Sequence, residues 1–406
     1  MVAITAEQLR RETLRRQFPG TSGVDGAAVL DLLDRLGPVQ SQVPRAPFLA
    51  VAARLPGVRH ATLCRLFEDH ELLRSTSLRG TVHTSTRASF GPAEAVARRQ
   101  RAGAVRSTLR LTRVTPDELD AEVRRFCTDD WRPRTEVVAR LRDWLTEQES
   151  PAVADRLAGT FAESLVWGNS RLLRRPREPA GAGPGSGPGS GSGPGSGSGP
   201  GPGPGRTRAW HTRTDVFHRT ADAVVPGLTT PGADDALREL VPGHLRAHGP
   251  CTRQDLAFFF GVGLGRVDAA VAAAGEALVR LTGPDRTTYL DLAEPPPGGA
   301  SDPGCRLLPE FDALLLGFAG PGRHRFVDEA DLDRVWGRAN GVFSPVVLHE
   351  GRLVATWRTV GGGRRTDVEV TMLHGGPLGE DQLEAAVADV AQVLDVTVRE
   401  LRVQAA

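Results

Sequence analysis

The chain reads as a helix-rich α+β protein: three tandem winged helix-turn-helix units, then a C-terminal β-rich element and a closing helix. Three observations lead there. A run of three helical segments followed by a β-prone hairpin occurs three times along 406 residues. Helix starts inside these runs carry capping residues at the right spacing. Beyond residue 300 the pattern changes to strands with tight turns, before one last amphipathic helix. The repetition lies in the order of elements, not in sequence identity. One helix–helix–helix–hairpin set would say little, because the pattern is common; three in tandem specify the winged-helix plan.

In the first unit (1–114), residues 26–36, 46–54 and 59–70 show helical periodicity and lead into LLRSTSLRGTVHTST, a hairpin. The second unit (115–225) opens at Thr115-Pro116-Asp117-Glu118, a capping box with proline at the first helical position. It runs through TEVVARLRDWL and VADRLAGTFAESL to two strand-prone stretches, LVWGNSRLLRRP and TRAWHTRTDVF. Between these lies AGAGPGSGPGSGSGPGSGSGPGPGPG, about residues 180–205. Gly, Ser and Pro alone bury no apolar surface, so this tract is a solvated coil. It reads either as an interdomain linker or as the expanded tip of one hairpin, and its flanks favour the hairpin.

The third unit (226–298) is the cleanest. DALRELVPGHLRAHG is a helix, CTRQDLAFFFG is a second capped by Thr252 with Asp255 three residues on, and GRVDAAVAAAG is a third. EALVRLTGPDRTTYLDL then turns at Gly283-Pro284-Asp285. In the last region (299–406), CRLLPEFDALLLGF and SPVVLHEGRLVATWRTV supply strands, with a turn at Glu350-Gly351. The acidic helix GEDQLEAAVADVAQVL closes the chain.

Composition narrows the chemistry. All fifty basic residues are arginine, as a GC-rich coding sequence would give, and without lysine there is no lysine Schiff base. Cys64, Cys127, Cys251 and Cys305 are far apart, with no zinc or iron–sulfur spacing, so reduced thiols and no metal or cofactor are expected. No signal core or membrane-length apolar run is present, which predicts a cytoplasmic, nucleoid-associated protein. Winged helices mostly bind nucleic acid, and at a net charge of +1 they must do so through a local patch. Between Arg74 and Arg113 lie Arg79, Arg87, Arg98, Arg99, Arg101, Arg106 and Arg110, with Glu94 the sole acid. Such a patch neutralises phosphates.

Dinucleotide, Walker, HExxH, GxSxG and zinc-deaminase motifs are all missing. What remains is LGPVQSQVPRAP, residues 36–47. Pro38 and the later prolines favour extended backbone, in which residues two apart point the same way. Gln40 and Gln42 then present two amides to one side, with Ser41 turned away. An amide pair can hold a water but is no strong acid or base. It suits a reaction that needs a positioned water and little proton transfer, such as N-glycosidic hydrolysis of a purine already cationic from N7 alkylation. Two loop glutamines are also common as plain solvated residues.

With LGPVQSQ, SLRGTVH (Ser77–His83), HGPCTRQDLAFFFGV (His248–Val262), LLPEFDALLLGF (Leu307–Phe318) and GRLVATWR (Gly351–Arg358) in one order, the chain resembles the winged-helix DNA glycosylases of the AlkZ/YcaQ type. The resemblance spans nearly everything but the Gly/Ser/Pro tract. It implies a concave surface for double-stranded DNA carrying alkylpurine lesions, and Gln40 and Gln42 as the catalytic pair of the AlkZ-like branch. Ser41 departs from that branch, which usually has an aliphatic residue there. Members of the branch are associated with self-resistance in producers of DNA-alkylating natural products, removing bulky N7-purine adducts or unhooking crosslinks. The expectation is a monomeric, monofunctional glycosylase; a non-catalytic winged-helix transcription regulator is the rival.

Around the pair, Arg79, Thr81 and His83 alternate and share a strand face, either lining the lesion site or supporting the fold. His83 is a candidate general base or a satisfied wing residue. Arg45 reads as a phosphate clamp or an ordinary surface arginine. Gly320–Arg325 reads as a basic turn whose Arg323, His324 and Arg325 the family resemblance would bring to DNA.

Overall fold

Capping chemistry sets many of the helix starts. Thr5, Thr86, Thr115 and Thr252 each accept from the backbone N–H three residues on, while the side chain at that position returns a bond to the cap. The computed structural model describes residues 2–20, 23–177, 209–299, 302–337, 341–373 and 378–405. Among these, no single helix is long and apolar enough to cross a membrane.

The three sets of helices fold alike. Gly26–Leu36, Ala46–Ala52 and His60–Glu68 precede the hairpin of Leu72–Thr76 and Val82–Thr86. Pro116–Phe126, Arg134–Gln148 and Gly159–Trp167 precede that of Leu172–Pro176 and Val216–Thr220. Ala233–His248, Arg253–Phe260 and Leu264–Ala274 precede Leu278–Thr282 and Thr288–Leu292. In every set a short extended piece after the first helix joins the second hairpin strand. Val39–Gln40 pairs with His83 and Thr84, Arg132–Pro133 with Phe217 and His218, and Cys251 bridges Leu290. Two-residue pieces are too short to leave a periodic signal, so only the structure reveals them.

The hairpin reading of the second set holds in that its strands pair antiparallel, from Leu172–Thr220 to Pro176–Val216. The Gly/Ser/Pro tract between them lies outside the described residues. After it the chain is helical at 209–212, where a strand was expected. Trp210 there stacks on Phe67 with ring centroids 4.7 Å apart, so the return path is pinned to the first set.

The basic stretch after residue 86 is one long helix, Arg87–Leu109, packed on Ala233–His248. One further expectation is corrected: helix Glu380–Leu394 does not close the chain but is a crossover into a last strand, Thr397–Gln404, parallel to Arg365–Met372. The alternation in TVRELRVQ is the local sequence signal for that strand. The resulting five-stranded sheet runs Arg306–Leu308, Val346–His349, Arg352–Gly362, Arg365–Met372, Thr397–Gln404.

Apolar residues of the C-terminal region divide between two cores. Trp357, Val370 and Leu383 join Leu33, Phe48 and Leu49 of the first set, while Leu314, Phe318 and Val346 join Leu256 and Phe260 of the third. The second set keeps its own core around Leu141, Leu145 and Leu165. Across the first interface, fully buried Arg54 donates to both oxygens of Asp312, at 3.0 and 2.8 Å. Breaking such a pair costs about 3–5 kcal/mol because it strands a buried charge.

The second set is tied by a carboxylate. Burial of Glu149 would raise its pKa, but the backbone N–H groups of Val114, Arg113 and Thr112 and the Thr112 hydroxyl all donate to it and hold it down at about 2. A depressed carboxyl contributes stability that is fully present above its ordinary value of 4.5 and is lost as pH falls from there toward 2. Denaturant titrations across this window should show Glu149→Gln less stable at neutral pH, with a shallower acid decline than wild type. An unchanged acid limb would remove Glu149 from that role.

Candidate active site

Gly37 ends the helix before the glutamines with φ +76°, a conformation glycine adopts without strain. Pro38 then holds the chain extended into Val39–Gln40. Pairing continues one residue further, the Ser41 N–H donating to Val82 O at 2.7 Å. Gln40 stands opposite His83, and the same register sets Gln42 opposite Thr81. The two glutamines therefore project from one face of the edge strand with Thr81 and His83, while Val39 and Ser41 turn inward.

The interior face explains the unusual middle residue. Ser41 is 3% exposed and its hydroxyl accepts from Thr84 Oγ1 at 3.2 Å. A polar pair thus fills the place where an aliphatic side chain would pack, and the backbone that carries the amides keeps its course.

Each amide is oriented by a group that can only donate. Arg79 Nη2 donates to Gln40 Oε1 at 3.3 Å, and the Val82 N–H donates to Gln42 Oε1 at 3.3 Å. The carbonyl ends must face these donors, so which end of each amide is oxygen follows from chemistry. Among the described residues neither amide nitrogen has a hydrogen-bond partner. Gln40 is buried at 6% exposure and Gln42 is exposed, so the pair runs from the floor of the site to its rim.

Arg79 is the key support. It sits in a tight turn with φ +55°, followed by Gly80 at +70°. For a residue with a Cβ this region costs about 1–2 kcal/mol and needs compensation. The guanidinium supplies it by donating to Phe259 O as well as to Gln40, within 5.6 and 5.4 Å of the Phe258 and Phe259 rings. It joins the motif strand of the first set to a helix of the third. Among the described residues no carboxylate pairs with it, and burial together with nearby Arg323 lowers its pKa to about 10, so it stays cationic.

The other candidates separate. His83 is 1% exposed, with Nδ1 2.9 Å from Thr81 O, so Nδ1 carries the proton. Burial and the Arg79 charge push it to about 3, a neutral ring and a poor general base. Thr81 is half-buried and donates to Leu78 O. Arg45 is no free clamp: it pairs with Glu310 and donates to Thr359 Oγ1 at 2.7 Å, reaching into the C-terminal sheet.

The basic turn is a correction. Gly320–Arg325 is a 3-10 segment with Arg323 and Arg325 turned inward, 1% and 8% exposed. Arg323 lies among the rings of Phe258, Trp336 and Phe343, and Arg325 donates to Thr13 Oγ1 and Pro250 O. Their aromatic and carbonyl partners come from distant segments, which a local count of charges misses. His324 alone of the three is exposed. In the Arg74–Arg113 stretch, Arg98 pairs with Glu94 within it, while Arg87 pairs with Glu71 and Arg99 with Asp234, so two acids from outside the stretch also occupy part of the patch. No group of three His, Cys, Asp or Glu is placed to hold a metal among the described residues.

Comparison with known proteins fits this geometry. The family model described as DNA glycosylase AlkZ-like matches residues 33–174 and 202–394. A curated "Interstrand DNA cross-link repair glycosylase" of Streptomyces sahachiroi is 26% identical over 352 residues, covering 81% of this chain and 82% of that one. The solved structure of Streptomyces sahachiroi DNA glycosylase AlkZ superposes with a TM-score of 0.74 at 20% identity, over 99% of this chain and 100% of that one, and so shares the fold.

The Arg79 bridge is open to test. Arg79→Met leaves Phe259 O and Gln40 Oε1 without their donor, and should lower unfolding free energy by about 1–3 kcal/mol. Arg79→Lys, with a compact ammonium that cannot fork to both acceptors, should recover part of it. Equal stability of all three proteins in urea would dismiss the bridge.

Proposed function

The chain belongs to the DNA glycosylase AlkZ-like family, and from that premise we propose that it hydrolyses the N-glycosidic bond of alkylated purines, bulky N7-guanine adducts above all, with Gln40 and Gln42 positioning the water. The observation that carries the reading is the pair itself: two amides on one face of one edge strand, each held by its oxygen and neither nitrogen engaged among the described residues. The three helix–hairpin sets are read as winged helix-turn-helix units that together cradle double-stranded DNA. The S. sahachiroi relative is named for interstrand cross-link repair, and crosslink unhooking in self-resistance is the extension of that role to this chain.

The chemistry asks for little proton transfer. Alkylation at N7 makes the base cationic, so cleavage of the C1′–N9 bond releases it neutral, with no general acid. Water adds to C1′, its surplus proton passes to solvent, and an abasic site remains. The second lone pair of each amide oxygen accepts from the water, and the free amide nitrogens donate to sugar or phosphate oxygens. Positive character grows on the sugar as the bond breaks, and a neutral His83 adds no opposing charge there. Arg79 is cationic and without a carboxylate partner among the described residues, so it meets a flanking phosphate. Rate then comes from positioning and preorganised dipoles rather than from a tuned acid or base.

Single-turnover release of N7-methylguanine from duplex DNA tests this. Gln42→Ala should lower the rate by about 100-fold while duplex affinity stays nearly unchanged, the signature of a positioning group. Binding without any release by excess wild-type protein would instead mark a regulator. The wild-type rate should also be level between about pH 5.5 and pH 8, because neither amide titrates and His83, held at about 3, stays neutral throughout. A limb near the ordinary histidine value would put an ionising group back into the chemistry.

A further inference from the structure

The second helix–hairpin set contains a cavity of about 450 Å3 that plays no part in the reading so far. It lies over the sheet in which Arg132, His218 and Arg174 stand directly opposite one another across three strands, on one face. His218 lines the cavity and is 1% exposed; burial and the Arg174 charge push it down to about 3, the Arg132 backbone lies against the ring, and among the described residues neither ring nitrogen makes a well-aligned hydrogen bond. Arg174, 3% exposed, lies with its guanidinium 3.8 Å from the centre of the Trp167 ring. Its Nη2 donates to Thr76 Oγ1 and Trp167 O, while among the described residues Nε and Nη1 have no acceptor. Among the described residues no carboxylate pairs with it.

The cavity wall includes Pro133, Arg134 and Thr135, the N-terminus of the 15-residue helix Arg134–Gln148. Among the described residues no side chain caps that end; Glu136 in the first turn, 3.6 Å from Arg132, offsets part of the dipole and leaves the first N–H groups without a side-chain acceptor. The exposed charges there largely offset one another: Arg134 lies 3.3 Å from Glu163 and Arg177 3.6 Å from Asp215. What is left over among the described residues is a buried cation, a buried neutral imidazole with only the Arg132 backbone against it, and a helix N-terminus that Glu136 balances in part. All three call for an anion with several acceptor oxygens.

We propose that this cavity is a phosphate site, with the N-terminus of Arg134–Gln148 and His218 binding the oxygens and Arg174 supplying the compensating charge, and that the phosphate it takes belongs to the DNA backbone. Trp167, half-buried in the wall, offers an apolar surface to the adjoining sugar. Only the DNA origin of the phosphate rests on the glycosylase reading; the anion site stands without it.

Thr135 is exposed, lines the cavity and lies outside the glutamine site, so it is the place to intervene. A carboxylate there suits the helix dipole and spares the fold, yet repels an incoming anion; a lysine does the reverse. Inorganic phosphate at about 20 mM, against chloride at matched ionic strength, should raise the thermal midpoint of wild type and of Thr135→Lys but not of Thr135→Glu. Thr135→Glu should also bind an unmodified duplex at least about fivefold more weakly, with the slope of log K against log salt reduced by about 0.9, one phosphate's worth. No phosphate effect on wild type, or an undiminished effect in Thr135→Glu, overturns the site. Loss of both effects in Thr135→Lys as well as Thr135→Glu overturns it too, because damage would then be steric. A phosphate effect abolished by Thr135→Glu with duplex affinity unchanged overturns the DNA assignment and leaves a free phosphate as the ligand. Base release measured alongside at saturating protein reports on Gln40 and Gln42 separately.

Discussion

Two residues of β-pairing govern the candidate site. Val39 and Gln40 join Thr84 and His83 in one register, and because side chains alternate along a strand, a slip by one position would turn both glutamines to the face that Val39 and Ser41 now occupy and Ser41 to theirs. The register is held at three points: the Ser41 N–H on Val82 O, the Ser41–Thr84 hydroxyl pair inside, and Gln42 Oε1 on the Val82 N–H outside. Each bond contributes only about 0.5–1.5 kcal/mol net, but all three are lost together in any other alignment. The strand also leads straight into helix Ala46–Ala52, every residue of which is buried, so the motif cannot shift without moving the core.

That register would be of little use without Arg79. A two-residue strand at a sheet edge fixes its own backbone and leaves the ends of long side chains free. Arg79 reaches the Gln40 oxygen from a strained turn, and its other bond is to Phe259, far along the chain. Orientation of the amide is therefore a property of the packed molecule, requiring the first and third sets to be docked. The same charge, with burial, keeps His83 neutral. One guanidinium thus sets both the geometry and the electrostatics around Gln40.

How much of this could be read from the sequence depended on how far apart the interacting residues lie. Helix starts are local: a Thr and the residue three positions on suffice, and Thr115 and Thr252 were legible as caps. The shared face of Gln40 and Gln42 was also legible, since prolines force extension and extension forces alternation. Burial of Arg323 and Arg325 was not, because their partners are rings and carbonyls up to hundreds of residues distant. Nor was the Arg45–Glu310 pair, which turns an apparent clamp into a strut. The strand Thr397–Gln404 was visible as alternation but looked like a tail, since parallel pairing to Arg365–Met372 is a non-local event. The long helix Arg87–Leu109 carries Pro92 in its interior and a high density of arginines, which blur its apolar periodicity.

The absence of lysine bears on all of these contacts. Guanidinium remains charged when buried and offers five donors in a planar fork, so one side chain can satisfy several carbonyls that no carboxylate accompanies. Arg74 on Trp210 O and Pro44 O, Arg325 on Pro250 O and Thr13, and Arg79 on Phe259 O and Gln40 are three instances. An ammonium at these places would lose its proton more readily and meet fewer acceptors. Arginines here serve as buried connectors between distant segments. It follows that net charge is a poor guide to where such a protein meets an anion. More informative is how each buried cation is answered: Arg79 spends its donors on Phe259 O and Gln40, whereas Arg174 beneath Trp167 keeps Nε and Nη1 without acceptors among the described residues.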